Sequence, residues 1–217
     1  MEGSGLRRIP VKTKSCKAAV GKSVCLFADQ EAWAAWLEKN HRKPEGLWLR
    51  LAKIGSGLKS VSYKEALEIA LCHGWIDGQK RAENEQTWLQ RFLPRSARSV
   101  WSKINRESAL ALIAQGRMTA AGSEAIEAAK KNGSWESAYD SSTAAVVPDD
   151  LQMALDKNPR AREFFQSLNR TNRYAVLFRI QTVKKPATRA AKIRRFVDML
   201  ERNEKLHEPR KSRNSSK

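Results

Sequence analysis

The chain has 217 residues, of which 41% are hydrophobic and 29% are charged, and its formal net charge is +18. This length is sufficient for one substantial hydrophobic core or two smaller ones. No apolar run approaches the ~20 residues that cross a bilayer, and the first twenty residues lack the apolar centre of a secretory signal. We therefore expect a cytoplasmic globular protein without a membrane span.

The positive charge is concentrated at the two ends of the sequence. Residues 1–23 carry a net charge of +5 and residues 202–217 a net charge of +4. Because these segments are polar and offer little apolar surface to bury, the sequence predicts a disordered basic leader over 1–25 and a disordered basic tail over 206–217. The remaining excess charge favours polyanionic partners, and salt would weaken their binding.

Residues 26–140 show the pattern of an α+β domain. Asp29 is suited to cap a helix over residues 30–39, and residues 47–54 predict a strand. Ser62 and Glu65 form the capping box of a second helix.

Two further strands, 75–81 and 87–93, flank a polar turn and predict a hairpin. If Ala82 lies opposite Gln86, Asp77 faces Arg91 and the two form a favourable cross-strand pair. A shift of one residue would place Phe92 opposite Asp77 instead.

The rest of the chain is helical in pattern. Residues 102–115 and 119–131 predict helices, residues 141–147 predict a linker, and residues 148–205 predict a helical subdomain. The fold class expected is therefore α+β, with a small antiparallel sheet packed with helices, followed by a C-terminal three- to four-helix unit.

Several motifs together resemble a known family. They are Gly-Trp-Ile-Asp-Gly at 74–78, Arg-Phe-Leu-Pro-Arg-Ser at 91–96, Trp-Ser-Lys-Ile-Asn at 101–105, Gly-Arg-Met-Thr-Ala-Ala-Gly at 116–122, Gly-Ser-Trp at 133–135 and Lys-Lys-Pro-Ala-Thr-Arg at 184–189. In this order they resemble the YdeI/OmpD-associated family, also labelled bacteriocin-protection proteins, from about Leu26 to Lys205. The resemblance implies resistance to cationic antimicrobial peptides or bacteriocins and a porin association. It implies no accepted reaction and no established catalytic residues.

The segment from Gly74 to Asn105 combines three tryptophans with cationic and polar side chains. One interpretation is a pocket for a small anionic ligand, walled by the aromatic rings and closed by a helix N-terminus. The residues assigned to it are Trp75, Asp77, Arg91, Arg95, Ser99, Trp101, Lys103 and Asn105. The alternative interpretation is structural: the tryptophans belong to the core, Asp77 pairs with an arginine, and Asn105 caps a helix.

The sequence favours a non-enzymatic protein. It contains no glycine-rich phosphate loop, zinc-ligand spacing or nucleophile elbow. The three cysteines are an odd number without close spacing, which argues against a disulfide framework and a metal site. Cys72 and His73 are adjacent on a helix and so do not face each other. We therefore assign no catalytic residue, metal or cofactor.

A nucleic-acid role is the main alternative function. The last predicted helix carries basic residues opposite its apolar face, as phosphate contacts require, although no recognised nucleic-acid motif accompanies them. These residues are Lys184, Lys185, Arg189, Lys192 and Arg195.

The sequence as a whole predicts a stress or antimicrobial-peptide protection protein that binds an anionic small molecule or an envelope component. A nucleic-acid-associated protein and an uncharacterised enzyme with a pocket around Asp77 remain the alternatives. Direct capture of cationic peptides is disfavoured, because the protein is itself cationic.

Overall fold

The computed structural model describes residues 17–19 and 22–208. The predicted α+β class is confirmed. Within the described residues, no helix is long and apolar enough to cross a membrane. Most of the predicted disordered leader and tail lies outside these residues, so the disorder of those parts stays a prediction.

One five-stranded sheet lies in the N-terminal part of the chain. Its strands follow the order β1-β2-β3-β5-β4. Strand β2 pairs in parallel with β3, whereas the other neighbours are antiparallel. The sheet is therefore mixed rather than wholly antiparallel. The strands are β1 (Lys17–Ala19), β2 (Lys22–Cys25), β3 (Leu47–Ala52), β4 (Trp75–Ala82) and β5 (Thr87–Pro94).

The first two strands fall within the segment that was predicted to be disordered. They are only three and four residues long, and their lysine, serine and alanine residues give no clear apolar alternation. Such strands carry little periodic signal, so sequence reasoning could not find them. Cys25 is disulfide-bonded, contrary to the expectation from the cysteine count. Cys72 is free and buried.

Two predicted helices pack on the sheet with the predicted caps. Helix α1 (Gln30–Asn40) begins after Asp29, whose carboxylate accepts a hydrogen bond from the Ala32 amide at 2.9 Å. Helix α2 (Tyr63–Cys72) has the complete capping box formed by Ser62 and Glu65. Because these caps satisfy amides that lack a partner within the helix, they fix where each helix starts.

The core between these helices and the sheet is aromatic. Trp33 is fully buried, and its indole N–H donates to the Ala66 carbonyl at 3.0 Å. Its ring lies 5.5 Å from Trp36 and 6.3 Å from Trp75, measured between centroids. Phe92 of β5 closes the same cluster. Strands β3 and β5 therefore supply the floor on which α1 packs.

The hairpin β4–β5 contains an irregularity that decides which residues face each other. Asp77 pairs with Phe92, and the register shifts between Asp77 and Lys80. Gln90 is 3% exposed, and its side-chain amide donates to the Gly78 carbonyl at 3.0 Å. The amide thus satisfies a carbonyl within the bulge, which would otherwise lose a ladder partner.

Six further helices follow, counted within the described residues. Ser102 caps the first, because its hydroxyl accepts from the Asn105 amide, and Asn158 and Asn169 cap the fourth and fifth. Four of the six form the predicted C-terminal helical unit. The helices are α3 (Lys103–Ala114), α4 (Ala120–Lys131), α5 (Asp149–Asp156), α6 (Pro159–Ser167), α7 (Arg170–Gln181) and α8 (Pro186–Glu201).

The chain divides into two compact units, and each unit is discontinuous in sequence. The first comprises residues 1–98 and 108–129, and the second comprises residues 99–107 and 130–217. The second unit has its own apolar core, which includes Leu151, Phe165 and Ile180. Helix α3 therefore begins in one unit and ends in the other.

Candidate functional site

The predicted pocket residues of the first unit mostly have structural partners. Trp75 is fully buried, and its indole N–H donates to the His41 carbonyl at 2.7 Å. Asp77 accepts a hydrogen bond from the Tyr63 hydroxyl at 2.7 Å. The Arg95 amide donates to the Gly74 carbonyl at 2.9 Å.

The predicted pair between Asp77 and Arg91 is wrong. Asp77 lies opposite Phe92, so Arg91, the adjacent residue, is directed to the other face of the sheet. There its guanidinium lies over the Trp48 ring at 5.7 Å and donates to the Glu45 carbonyl. Burial lowers the pKa of Arg91.

The other predicted pocket residues, from Ser99 to Asn105, belong to the second unit. Ser99 is half-buried, and Trp101 is buried against Trp135, with ring centroids 4.7 Å apart. The Lys103 ammonium lies 2.6 Å from Asp140. Ser102 takes the capping role that the structural interpretation gave to Asn105.

Asp140 is the centre of a hydrogen-bonded network in the second unit. Its carboxylate accepts from Gln181 at 2.6 Å, in addition to the contact with Lys103, and its backbone carbonyl accepts from the Tyr174 hydroxyl at 2.9 Å. Burial raises the pKa of Asp140, but the hydrogen bonds from Lys103 and Gln181 together outweigh it, so the pKa lies below its usual value. Lys103 is therefore engaged in holding the fold.

Two of the basic residues assigned to nucleic acid also have internal partners. Arg189 forms a two-point ion pair with Asp150, at 2.6 and 2.9 Å, and donates to the Ile180 carbonyl at 2.9 Å. Lys184 donates to the Asn132 carbonyl at 2.5 Å. Lys185 is exposed at the start of α8.

The other two, Lys192 and Arg195, line a groove of about 480 Å³ in the second unit. We call it the α7/α8 groove. The side chains that give it its chemical character are Arg179, Lys192, Arg195, Phe196, Met199 and Leu206.

Helix periodicity explains why these side chains converge. Lys192, Arg195 and Met199 are spaced at i, i+3 and i+7 on α8, so they lie along one face of the helix. Arg179 of α7 also lines the groove. Its guanidinium donates to the Ala175 carbonyl at 2.9 Å through one nitrogen, which leaves other N–H groups for a ligand.

The charge of the groove has one sign. None of its lining residues is acidic. Across the part of the chain that the structure describes, no ion pair joins Arg179, Lys192 or Arg195 to a carboxylate. Three cations above an apolar floor form an arrangement that can hold an organic anion.

Sequence reasoning found two of these cations and missed the third, Arg179, as well as the apolar lining residue Leu206. Arg179 lies on a helix whose apolar residues are spread around much of its circumference, so no single polar face is visible in the sequence. Leu206 fell within the predicted disordered tail. It instead packs against the apolar core of the second unit.

A second cavity lies in the first unit. It has a volume of about 470 Å³, and Cys72, His73, Glu68 and Arg117 are among its lining residues. Burial raises the pKa of the Cys72 thiol, which disfavours the reactive thiolate. Among residues 17–19 and 22–208, no group of His, Cys, Asp or Glu side chains has the arrangement of a metal site.

Comparison with known protein families divides the chain into two matched segments. Residues 144–203 match the family described as bacteriocin-protection, YdeI or OmpD-associated. The predicted family resemblance is confirmed for this segment. Residues 25–125 match a family described only as a domain of unknown function, DUF8412. Neither the curated proteins nor the solved structures contain a significant match to the chain.

The two matches refine which motifs mark which family. Of the motifs that suggested the resemblance, only residues 184–189 lie in the YdeI/OmpD-associated segment. The motifs between residues 74 and 122 lie in the segment of unknown function. The α7/α8 groove is built mainly from the YdeI/OmpD-associated segment, with Leu206 just beyond its end.

Proposed function

We propose that this protein binds a small organic anion in the α7/α8 groove, and that this binding underlies a protective role against bacteriocins or antimicrobial peptides. The family match supports a bacteriocin-protection-like role at the level of the family. The observation that carries the finer proposal is the convergence of Arg179, Lys192 and Arg195 on one groove without an acidic lining residue.

The physical basis is electrostatic and geometric. Charge-assisted hydrogen bonds from arginine and lysine to carboxylate or phosphate are stronger than neutral ones. The volume of about 480 Å³ lies within the range of small-molecule pockets. Because the three cations have no acidic partner among the described residues, a bound anion does not have to displace an internal ion pair.

The protection is non-enzymatic and indirect in this proposal. A cationic peptide would be repelled by the cations of the groove, just as it would be by the net charge of +18. An anionic metabolite or envelope component has the complementary charge. Binding such a compound is therefore the step that we assign to this protein.

Charge reversal on one helix face tests the proposal. We expect Arg195→Glu to weaken the binding of octanoate, measured by isothermal titration calorimetry, by at least about tenfold, since it replaces an attractive contact with a repulsive one. Arg194→Glu is the matched control, because Arg194 is the exposed neighbour on α8 and does not line the groove.

The two variants change the net charge of the protein equally. If both weakened octanoate binding to the same extent, the attraction would belong to the basic protein as a whole, and the proposed site would be wrong. Absence of octanoate binding to the unchanged protein would also contradict the proposal.

A further inference from the structure

We infer that the natural ligand of the α7/α8 groove is a single-chain anionic amphiphile: a carboxylate or phosphate head joined to an unbranched alkyl chain. This inference rests on the proposed function for the location of the site and adds the chemical class of the ligand. It comes from the apolar part of the groove, which binding of a compact anion would leave unused.

Along α8 the two cations of the groove, Lys192 and Arg195, come before the apolar lining residues Phe196 and Met199, with Arg195 directly before Phe196. Lys192 precedes Phe196 and Met199 by four and seven residues, and Met199 is about 10 Å further along the helix axis. The head of a ligand held by Lys192 and Arg195 can therefore extend its chain toward Met199 and Leu206. A ligand with its charge at one end and apolar carbon at the other matches this order.

The far wall of the groove is held in place by a buried side chain. Asn172 is 3% exposed and donates to the His207 carbonyl at 3.0 Å. Its side-chain oxygen accepts from the His207 amide at 2.8 Å. This pair of hydrogen bonds fixes the segment after α8, so Leu206, the preceding residue, is positioned as a wall before any ligand arrives.

The apolar floor is suited to an alkyl chain rather than to a rigid ring. Met199 is partly buried, and its unbranched thioether side chain adapts to the shape of a flexible partner. Phe196 is buried at 6% exposure and presents a fixed surface beside it. Ala191 and Thr188, which also line the groove, are too small to fill it.

The chain's own C-terminal residues are a poor occupant on grounds of charge. Residues 209–217 contain four basic residues and no acidic one. They would meet the three cations of the groove with like charge, which is unfavourable. An anionic ligand from outside the chain has the complementary charge.

A chain-length series tests the ligand class. The series would consist of acetate, hexanoate, octanoate and decanoate. Each would be titrated into the full-length protein below the concentration at which it aggregates. We expect the affinity to rise about two- to fourfold for each added methylene until the apolar floor is covered, fourfold being the value for a fully buried methylene. Octanol is the control for chain burial without charge, and inorganic phosphate is the control for charge without a chain.

Substitutions of single residues test where the alkyl chain of the ligand lies in the groove. We expect Met199→Asn to flatten the dependence on chain length while leaving acetate binding within about threefold of the unchanged protein, since the head contacts remain. Met153→Asn is the matched control, because Met153 is exposed on α5 and does not line the groove.

The outcomes separate the two proposals. If acetate and decanoate bound equally and Arg195→Glu weakened both, the anion site would stand and the amphiphile inference would be overturned. If octanol bound as tightly as octanoate, the cations would have no role, and the proposed function would be overturned as well. If Met153→Asn flattened the dependence of affinity on alkyl-chain length as much as Met199→Asn did, the amphiphile inference would also be overturned.

Discussion

At the scale of single residues, Asp140 shows how a carboxylate can be diverted from chemistry to structure. Its oxygens contact Lys103 and Gln181, and its carbonyl contacts Tyr174. The lowered pKa means that the folded state favours the ionised carboxylate more than the unfolded state does. Stability linked to Asp140 is therefore present above the unfolded-state pKa of about 3.9 and is lost as the pH falls toward the folded-state pKa.

We expect Asp140→Asn to lower the free energy of unfolding by about 1–3 kcal/mol at neutral pH, because Lys103 loses its charged partner. The difference from the unchanged protein should shrink as the pH falls below about 4. Urea unfolding at a series of pH values measures this. Asp149→Asn is the control, since Asp149 is exposed in the same unit; a deficit that stayed constant with pH would show that the ionised carboxylate is not the stabilising form.

The wrong pairing of Asp77 with Arg91 shows that the register of the hairpin cannot be read from its residues one at a time. The motif identified two strands and a turn, and both strands are present. The pairing depended on the turn length and on a bulge between Asp77 and Lys80. The bulge is supported by Gln90, whose distant contact with Gly78 leaves no local pattern in the sequence. The faces of the strands, and so the contents of the predicted pocket, therefore could not be read from spacing.

At the scale of elements, two glycines of the motif-bearing region allow α2 and α4 to meet closely. Gly74 has a φ of +71°, and a Cβ atom there would lie 2.7 Å from the Ala121 carbonyl. A Cβ atom on Gly122 would overlap the Cys72 carbonyl at the end of α2. The Thr119 hydroxyl donates to the same carbonyl at 2.6 Å. These glycines thus have a packing role.

Gly122→Ala should destabilise the protein by about 1–3 kcal/mol, as insertions into a packed site do. The direction of the stability change is informative, because alanine in a helix interior normally stabilises a protein by roughly 1 kcal/mol relative to glycine. The midpoint of urea unfolding gives the measurement. Ser123→Ala, at the exposed neighbour, should change stability by less than about 0.5 kcal/mol. A Gly122→Ala variant more stable than the unchanged protein would show that α2 and α4 do not need this approach.

The individual helices and strands could be predicted from the sequence more reliably than the contacts between them. The caps at Asp29 and Ser62 are local signals, and a helix starts beside each of them. The groove depends instead on contacts between α7, α8 and the segment after α8. Such contacts join residues far apart in sequence, so periodicity identified Lys192 and Arg195 but neither Arg179 nor Leu206.

At the scale of the whole molecule, the charge is distributed in a way that separates two modes of anion binding. The described part of α8 offers a localised set of cations, whereas residues 1–16 and 209–217 together hold eight of the 41 lysine and arginine residues and one acidic residue. Attraction to a polyanion depends on how many phosphates are neutralised. A small ligand needs only the local set.

Deleting residues 1–15 and 209–217 should weaken the binding of duplex DNA and reduce the slope of log affinity against log salt concentration, while octanoate affinity changes by less than about twofold. Fluorescence anisotropy over a range of salt concentrations measures the slope. The full chain with Lys192→Glu and Arg195→Glu is the complementary control. If this variant lost the DNA affinity and the shortened chain kept it, α8 would be the nucleic-acid surface and our assignment of the groove would be contradicted.

The discontinuity of the second unit limits how far its sequence segments can be exchanged as modules. Trp101 comes from the segment that matches the family of unknown function, whereas Trp135 and Asp140 fall between the two matched segments. All three nevertheless belong to the same compact unit. Recombining the two family segments across related genes would therefore separate aromatic and ionic partners that must change together. The junction between the two matched segments, residues 126–143, therefore carries side chains that the second unit needs for its own packing.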